Sequence, residues 1–412
     1  MRKIYSLLLL LFISQFSLFA EEISLKLPKD QQNEGIQRIE VVGLKRTKDE
    51  YIQSLLEKYI GMESEKIDVG EVETSLQATG LFTDISIEIE EDRMDESVLY
   101  INLTEKWSFL PIPFFAYTDD GAKGGGFVMD TNAFGRNNML MAGGSFSAES
   151  YTVIGLFVKG ALRPEVPGYT IITTLSSGTE GIKDEEDATI VEYDFTRLSG
   201  GFSLIKKITE NTSIGSGIRY AYWTTEHPWF DPARIFSAHM EAKYEKQDWN
   251  GWFLLNSSLE GELAYSFDVN NLPFASVSIM ARGERALLDR MRLITKAALY
   301  YAEASHISTY KSQKEAGVAI MPEDFKSEKM LGASGGFEIG VSSTALGLVS
   351  VYSVYQGFLA QNFDEDTFWN HGPSFGGRLY LKKIALPAVS LGAAFNVTTN
   401  RWNGSASFGF SY

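Results

Sequence analysis

Alternation with a period of two constrains this chain more than any other feature. In the final stretch, Gly404, Ala406, Phe408, Phe410 and Tyr412 fall on one face, and Asn403, Ser405, Ser407, Gly409 and Ser411 on the other. Successive side chains of a strand point to opposite faces, so one side is oily and the other small and polar. Upstream, Val389, Leu391, Ala393, Phe395 and Val397 oppose Ser390, Gly392, Ala394 and Asn396 in the same way. Ile214, Ile218, Tyr220 and Tyr222 likewise oppose Gly215, Gly217 and Arg219. From Trp107 onward about sixteen such stretches follow one another. They are expected near 107–117, 122–130, 137–147, 151–163, 168–178, 189–206, 212–225, 232–246, 251–267, 274–287, 290–304, 330–341, 347–361, 374–383, 387–397 and 402–412. An even number of alternating strands closing on an aromatic residue predicts a 16-stranded antiparallel transmembrane β-barrel of a bacterial outer membrane.

Composition agrees with that reading. Hydrophobic residues make up 44% of the 412 and aromatic residues 13%. Yet past the N-terminus no segment approaches ~20 continuous apolar residues, so no transmembrane helix is expected. Barrel strands hide their membrane signal from hydropathy averaging because the lumen face is polar. The net charge of −16 argues against a nucleic-acid partner. Residues 1–20 read as a signal peptide, with Arg2 and Lys3 before an apolar run from Leu7 to Ile13 and Ala20 at the cut. The absence of cysteine excludes disulfides and a lipid-modified cysteine. Residues 21–35 read as a polar leader, whose second half from Lys29 to Gly35 has no periodic apolar face.

The period changes in residues 36–106, which read as β-α-α-β-β. Thr47 with Glu50 has capping-box spacing, and Ile52, Leu55, Leu56 and Tyr59 make a helical stripe that closes at Gly61. Asp68 with Glu71 opens a second helix carrying Val69, Val72 and Leu76, and Gly80 ends it. Ile85, Ile87 and Ile89 alternate in one strand and Leu99, Ile101 and Leu103 in the next, with a turn at 92–96.

Several strings carry a family resemblance. Ile39-Glu40-Val41-Val42-Gly43, Thr47, Gly80-Leu81-Phe82 with Asp84-Ile85, and Thr104-Glu105-Lys106-Trp107 resemble a POTRA domain. Pro111-Ile112-Pro113-Phe114-Phe115, Asp130-Thr131-Asn132-Ala133-Phe134-Gly135, Gly376-Gly377-Arg378-Leu379-Tyr380 and the closing Phe408-Gly409-Phe410-Ser411-Tyr412 resemble the barrel of BamA-like proteins. In this order they resemble the Omp85 superfamily, of the bacterial surface antigen D15 type, with one POTRA domain at 36–106 and the barrel at 107–412.

The resemblance implies a periplasmic POTRA domain and a barrel that opens between its first and last strands to insert or translocate proteins, without nucleotide or other cofactor. Its partners would be outer-membrane lipid, unfolded outer-membrane or exported protein clients, and periplasmic accessory proteins. Pro111, Pro113 and Phe115 on the first strand and Phe408, Phe410 and Tyr412 on the last would be the working edges. The two prolines each lack a ladder donor.

The longest connection, about 305–329, takes the place of the family's lumen loop, which carries an Arg-Gly-aromatic motif. Here the matching stretch is Gly317-Val318-Ala319-Ile320-Met321-Pro322-Glu323, without the arginine. Glu338 is expected to face the lumen, within reach of Lys326 or Lys329. The missing arginine and the single small domain leave a second function open, a passive pore or surface antigen without insertase activity.

No enzyme site is read. Gly332-Ala333-Ser334-Gly335-Gly336 satisfies Gly-x-Ser-x-Gly, but inside an expected strand rather than at a strand-turn-helix elbow. His227, His239, His306 and His371 are scattered without metal-ligand spacing. Asp184, Glu185, Glu186 and Asp187 read as a solvated loop. Trp223, Trp249 and Trp252 suit an interfacial girdle, and Trp229 an outer loop.

Overall fold

A computed structural model describes residues 35–408 apart from 78, 92–96, 119–120, 161–165, 185, 251–252, 269–272, 304–305, 323, 344–346, 363–364 and 382–386. The signal peptide, nearly all of the leader, the 92–96 turn, Trp252, Phe410 and Tyr412 lie outside the described residues. The chain packs as two compact units. One comprises residues up to Pro111 with Val128–Met141 and Leu156–Gly160, and the other Ile112–Phe127, Ala142–Gly155 and Ala161–Tyr412.

The first unit holds a small α+β region. Its strands are β1 (Ile36–Val42), β2 (Phe82–Glu91) and β3 (Ser97–Glu105), and its helices α1 (Asp49–Leu56) and α2 (Val69–Gln77). The strand order is β1-β3-β2, with β1 parallel and β2 antiparallel to β3. The helical stripe meets the sheet in one core. Ile36, Ile52, Leu56, Val72, Leu76 and Leu99 are fully buried there, with Tyr59 and Ile101 beside them. Val69 remains exposed.

Asp68 caps α2, its Oδ1 accepting from the backbone N–H of Gly70 (2.9 Å) and Glu71 (3.3 Å). The expected capping box at Thr47 does not form. Lys48 is the N-cap of α1 and makes no side-chain cap bond. Thr47 is diverted because its hydroxyl accepts from Asn132 Nδ2 at 2.9 Å. Within the same unit, Lys48 N donates to Gly135 O (2.8 Å) and Arg46 pairs with Asp130 (2.7 Å). Gly135 is glycine of necessity, since its φ is +68° and a Cβ would lie 2.2 Å from Arg46 O.

The barrel strands are β4 (Phe109–Thr118), β5 (Gly121–Ala133), β6 (Asn138–Ser147), β7 (Ser150–Lys159), β8 (Gly168–Lys183), β9 (Thr189–Lys207), β10 (Thr212–Thr225), β11 (Ala233–Asn250), β12 (Phe253–Asp268), β13 (Phe274–Leu288), β14 (Met291–Ala302), β17 (Lys329–Ser343), β18 (Gly347–Gln361), β19 (Thr367–Leu381), β20 (Pro387–Asn396) and β21 (Arg401–Phe408). Two short strands, β15 (Lys311–Ser312) and β16 (Lys326–Ser327), pair inside the β14–β17 connection. The sixteen barrel strands close into one antiparallel cylinder, β21 pairing with β4. Leu259, Leu263 and Phe267 on β12, Phe337 and Ile339 on β17, and Val351, Tyr355 and Leu359 on β18 all point outward and are exposed. So much contiguous apolar surface suits hydrocarbon rather than water. Among the described residues no helix is long and apolar enough to cross a membrane.

Two expected boundaries move. β8 runs on to Lys183 and β19 begins at Thr367, so the connections expected at 179–188 and 362–373 shorten to 184–188 and 362–366. Strands of 16 and 19 residues in β8 and β9 exceed the ~9–11 that hydrocarbon requires. Beyond it the ladder continues with polar side chains, which resemble loop in sequence. Trp223 is buried at 2% exposure against Tyr193, Phe230 and His306, not in an outward girdle. It closes an apolar cluster inside the barrel with Ile182, Ile235 and Phe274. The side chain of Trp249 lies outside what is described.

Glu105 ties the turn after β1 to β3. Its Oε2 accepts from Arg46 N (2.9 Å) and its Oε1 from Thr47 N (2.8 Å). Partial burial pushes the carboxyl up, but hydrogen bonds from the Thr47 hydroxyl and the backbone N–H of Arg46, Thr47 and Lys45 outweigh it and hold the group below its ordinary 4.5. A carboxyl lowered by folding stabilises the folded state above its unfolded value and loses that contribution as pH falls through the folded value. Limited proteolysis of the full chain in detergent is expected to find the α+β region equally resistant from about pH 7 to 5 and weakening below about 4.5. Glu105→Gln should weaken it at neutral pH and flatten the acid response; an unchanged acid profile in the variant would exclude this role.

Candidate functional site

The closing seam is where the expected working edges meet. Phe115, Ala116, Tyr117 and Thr118 of β4 face Phe408, Ser407, Ala406 and Ser405 of β21, four pairs among the described residues. On its other side β21 pairs with β20 through eight. Pro111 and Pro113 lie on β4 immediately before the paired segment and donate no ladder bond. Phe115 and Tyr117 are exposed on the outward side.

The β14–β17 connection, residues 303–328, turns into the lumen. Its first part lays Ile307 on the cluster around Trp223 and Tyr193. There His306 Nε2 lies 2.7 Å from Asp231 O. Its tip buries Val318, Ile320, Met321 and Phe325 against Tyr300, Met330, Phe358 and Ala394. Gly317, at φ +71°, makes the bend before the tip.

One amide side chain from each of four consecutive strands then grips the tip. Gln356 of β18 accepts from Ala319 N at 2.6 Å. Asn370 of β19 donates to Met321 Sδ at 3.2 Å, and Asn396 of β20 to Ile320 O at 3.1 Å. Asn403 of β21 donates to both Ala319 O (3.2 Å) and Met321 O (3.0 Å). The strand that forms one lip of the seam is therefore also held from inside by the loop. Each such bond contributes about 0.5–1.5 kcal/mol, so the grip is firm in sum and releasable in parts.

Nearer the turns that join β13 to β14 and β17 to β18 sits a buried ion cluster. Glu338 is fully buried and accepts from Arg292 Nη2 (2.7 Å), Arg378 Nη1 (2.9 Å), Ser350 Oγ (2.6 Å) and Tyr380 Oη (2.9 Å). Arg292 also reaches Glu284 at 2.9 Å and stacks over Phe253 at 4.5 Å. Two arginines of the wall thus hold the carboxylate.

The lysines named from the sequence go elsewhere, which corrects the expected pairing. Lys326 pairs with Glu180 at 2.6 Å and Lys329 with Glu328 at 3.4 Å. Lys326 sits on β16, inside the loop, and Lys329 begins β17, several residues along the strand from Glu338, so neither side chain can span to it. Pro322 stands at the tip and its carbonyl accepts from Phe325 N at 3.1 Å. Gln356, Asn370, Asn396 and Asn403 were not singled out from the sequence. Their signal is an inward amide within an otherwise small or apolar alternation. Arg378 and Tyr380, both within the Gly-Gly-Arg-Leu-Tyr string, meet at Glu338. Ser334 of the Gly-x-Ser-x-Gly string lies in mid-strand, paired with Lys296 and Gln356.

The fold, a closed sixteen-stranded barrel with a small α+β region, is shared with several solved structures. A BamA from Haemophilus ducreyi lacking POTRA domains 1-3 superposes with a TM-score of 0.69 at 12% identity, over 93% of this chain and 86% of that one. CdiB from Acinetobacter baumannii gives 0.63 at 12% identity, over 92% and 74%. CdiB from Escherichia coli gives 0.59 at 11% identity, over 95% and 93%. No protein-family profile matches the sequence, and neither does any curated protein.

Two substitutions separate the roles of the two lumen clusters. Glu338→Gln removes the carboxylate that Arg292 and Arg378 share and leaves Arg292 with Glu284 alone, at a cost of about 3–5 kcal/mol. The temperature at which the folded form is lost in SDS electrophoresis should fall clearly. Asn403→Leu removes two bonds worth together about 1–3 kcal/mol. It should leave that temperature nearly unchanged while exposing the loop tip to protease. Equal effects of the two in both assays would refute the distinction.

Proposed function

We propose that this chain is an outer-membrane protein that handles unfolded protein clients at the β4–β21 seam, assisting their insertion into that membrane or their translocation across it. The observation that carries the reading is the double restraint on β21, which is joined to β4 through the four described pairs and tied from within to the loop tip through Asn403. Once parted, the edge strand of such a closure is a template for an incoming strand. Pro111 and Pro113 each remove a ladder donor from β4.

The α+β region is read as a POTRA domain in the periplasm. Its sheet order leaves β1 and β2 as edges to which an extended client segment or a periplasmic accessory protein can add. The barrel relatives BamA and CdiB support this class by fold. The loop that spans from the Trp223 cluster to β21 weighs against the second reading, a passive pore, because it occupies the lumen.

The native chain has no cysteine, so a disulfide across the seam can be introduced cleanly. Tyr117→Cys with Ala406→Cys joins directly facing positions. In cells depleted of the native protein, the oxidised pair is expected to abolish function and the reduced pair to restore it. The outer-membrane proteome then identifies the role: broad loss of other barrels means assembly, loss of one exported partner means dedicated secretion. Full function of the oxidised pair would refute a seam mechanism, and planar-bilayer conductance without any such loss would favour the pore.

A further inference from the structure

Eight strands round from the seam, the lumen wall gathers groups used by neither the loop grip nor the ion cluster. His239 and Glu241 are two apart on β11 and share its inward face. Glu262 on β12 is the direct ladder partner of Glu241. A ring nitrogen of His239 and one oxygen from each carboxylate lie within 4.8 Å of one another. The four histidines have no metal-ligand spacing along the chain; here one of them meets two carboxylates across a ladder instead.

Three observations distinguish this group from a solvated acidic patch. The first concerns His239, which is buried at 1% exposure. Its Nε2 lies 3.0 Å from Ser203 Oγ, while Nδ1 has no hydrogen-bond partner among the described residues. Leaving a buried polar atom unpaired is costly. With Nε2–H donated to Ser203, Nδ1 carries a free lone pair, the arrangement by which an outer partner fixes the tautomer of a metal-binding histidine.

The second observation is the direct opposition of two carboxylates on adjacent strands, which is destabilising without a counter-charge. Arg219 takes both oxygens of Glu262, at 2.6 and 2.5 Å, and no hydrogen bond joins Glu241 to a described residue. The neighbouring cation, Lys243, is engaged by Glu245 (3.0 Å) and Glu260 (2.9 Å). The third lies on β10, where Gly215 and Gly217 face Glu241 and His239. A Cβ at these positions would come within 2.5 Å of Glu241 Oε1 and 2.6 Å of His239 Cε1. The wall thus keeps open the space these two side chains occupy.

We propose that His239, Glu241 and Glu262 form a divalent transition-metal site in the barrel wall, with Zn²⁺ the best match. One imidazole nitrogen and two carboxylates suit zinc, with water completing the tetrahedron. Calcium and magnesium prefer six or more oxygen ligands and fit this set poorly. Glu262 can serve Arg219 and the ion together, since each carboxylate oxygen accepts in two directions. The bound ion cross-links β11 to β12, offsets the opposed carboxylates and satisfies His239 Nδ1.

The experiment uses the full chain, purified in detergent and freed of metal with a chelator. Titration with ZnCl₂ by calorimetry is expected to show one site per chain, and zinc to raise the temperature at which the folded form is lost in SDS electrophoresis. Mg²⁺ and Ca²⁺ should do neither. Glu241→Gln keeps shape and hydrogen-bonding capacity and should reduce zinc affinity at least tenfold, as should His239→Gln. His227→Ala should leave it unchanged. Absence of a zinc site in the native chain, consistent with a proton shared between Glu241 and His239, would overturn the proposal. So would zinc binding that survives both wall variants or disappears in His227→Ala.

Discussion

Hydrocarbon offers no hydrogen bonds, so every strand of a membrane barrel must find both of its neighbours. In this chain the ladder satisfies that demand by closing β21 onto β4. The outward side chains can then be largely apolar, and most of the polar content is directed into the lumen. The closure is also the one place where two strands far apart in sequence must meet. The described part of this joint pairs Phe115–Thr118 with Ser405–Phe408. Its strength depends in part on what stands behind it.

Two devices within the lumen differ in kind. The Glu338 cluster is charged, buried and fully partnered, and losing either side strands a charge. It fixes β14, β17 and β19 with respect to one another. The loop grip is neutral and distributed over β18 to β21, with each bond small enough to be given up singly. A fixed frame and a releasable clasp therefore share one cavity. Arg292 and Arg378, both in the wall, serve the frame rather than the clasp.

Strand positions were largely legible in the sequence, because alternation is dictated by the difference between lipid and lumen. It failed where that difference ends. At 179–183 and 367–373 the ladder runs on through stretches expected as connections, and Gly372-Pro373 reads as loop although Gly372 is required there: a Cβ would lie 1.8 Å from Phe395 O. Thr47 had the right spacing for a helix cap, yet a partner 85 residues away took its hydroxyl. Glu338 was legible as an inward charge, whereas its partners depended on the stagger between strands, which spacing within one strand does not reveal. The four amides were hidden for the same reason. Each is unremarkable on its own strand, and only closure of the barrel brings them together.

An uncharged clasp has a consequence for timing. An ion pair would loosen with rising salt or with protonation, and its release would follow the composition of the surrounding electrolyte. The grip of Asn396 and Asn403 on loop carbonyls has no such dependence. Backbone carbonyls are, however, the same acceptors that an extended polypeptide seeks with its own N–H groups. The group best able to displace these amides is another strand, which would make the arrival of a chain, rather than a change of medium, the event to which this lumen responds.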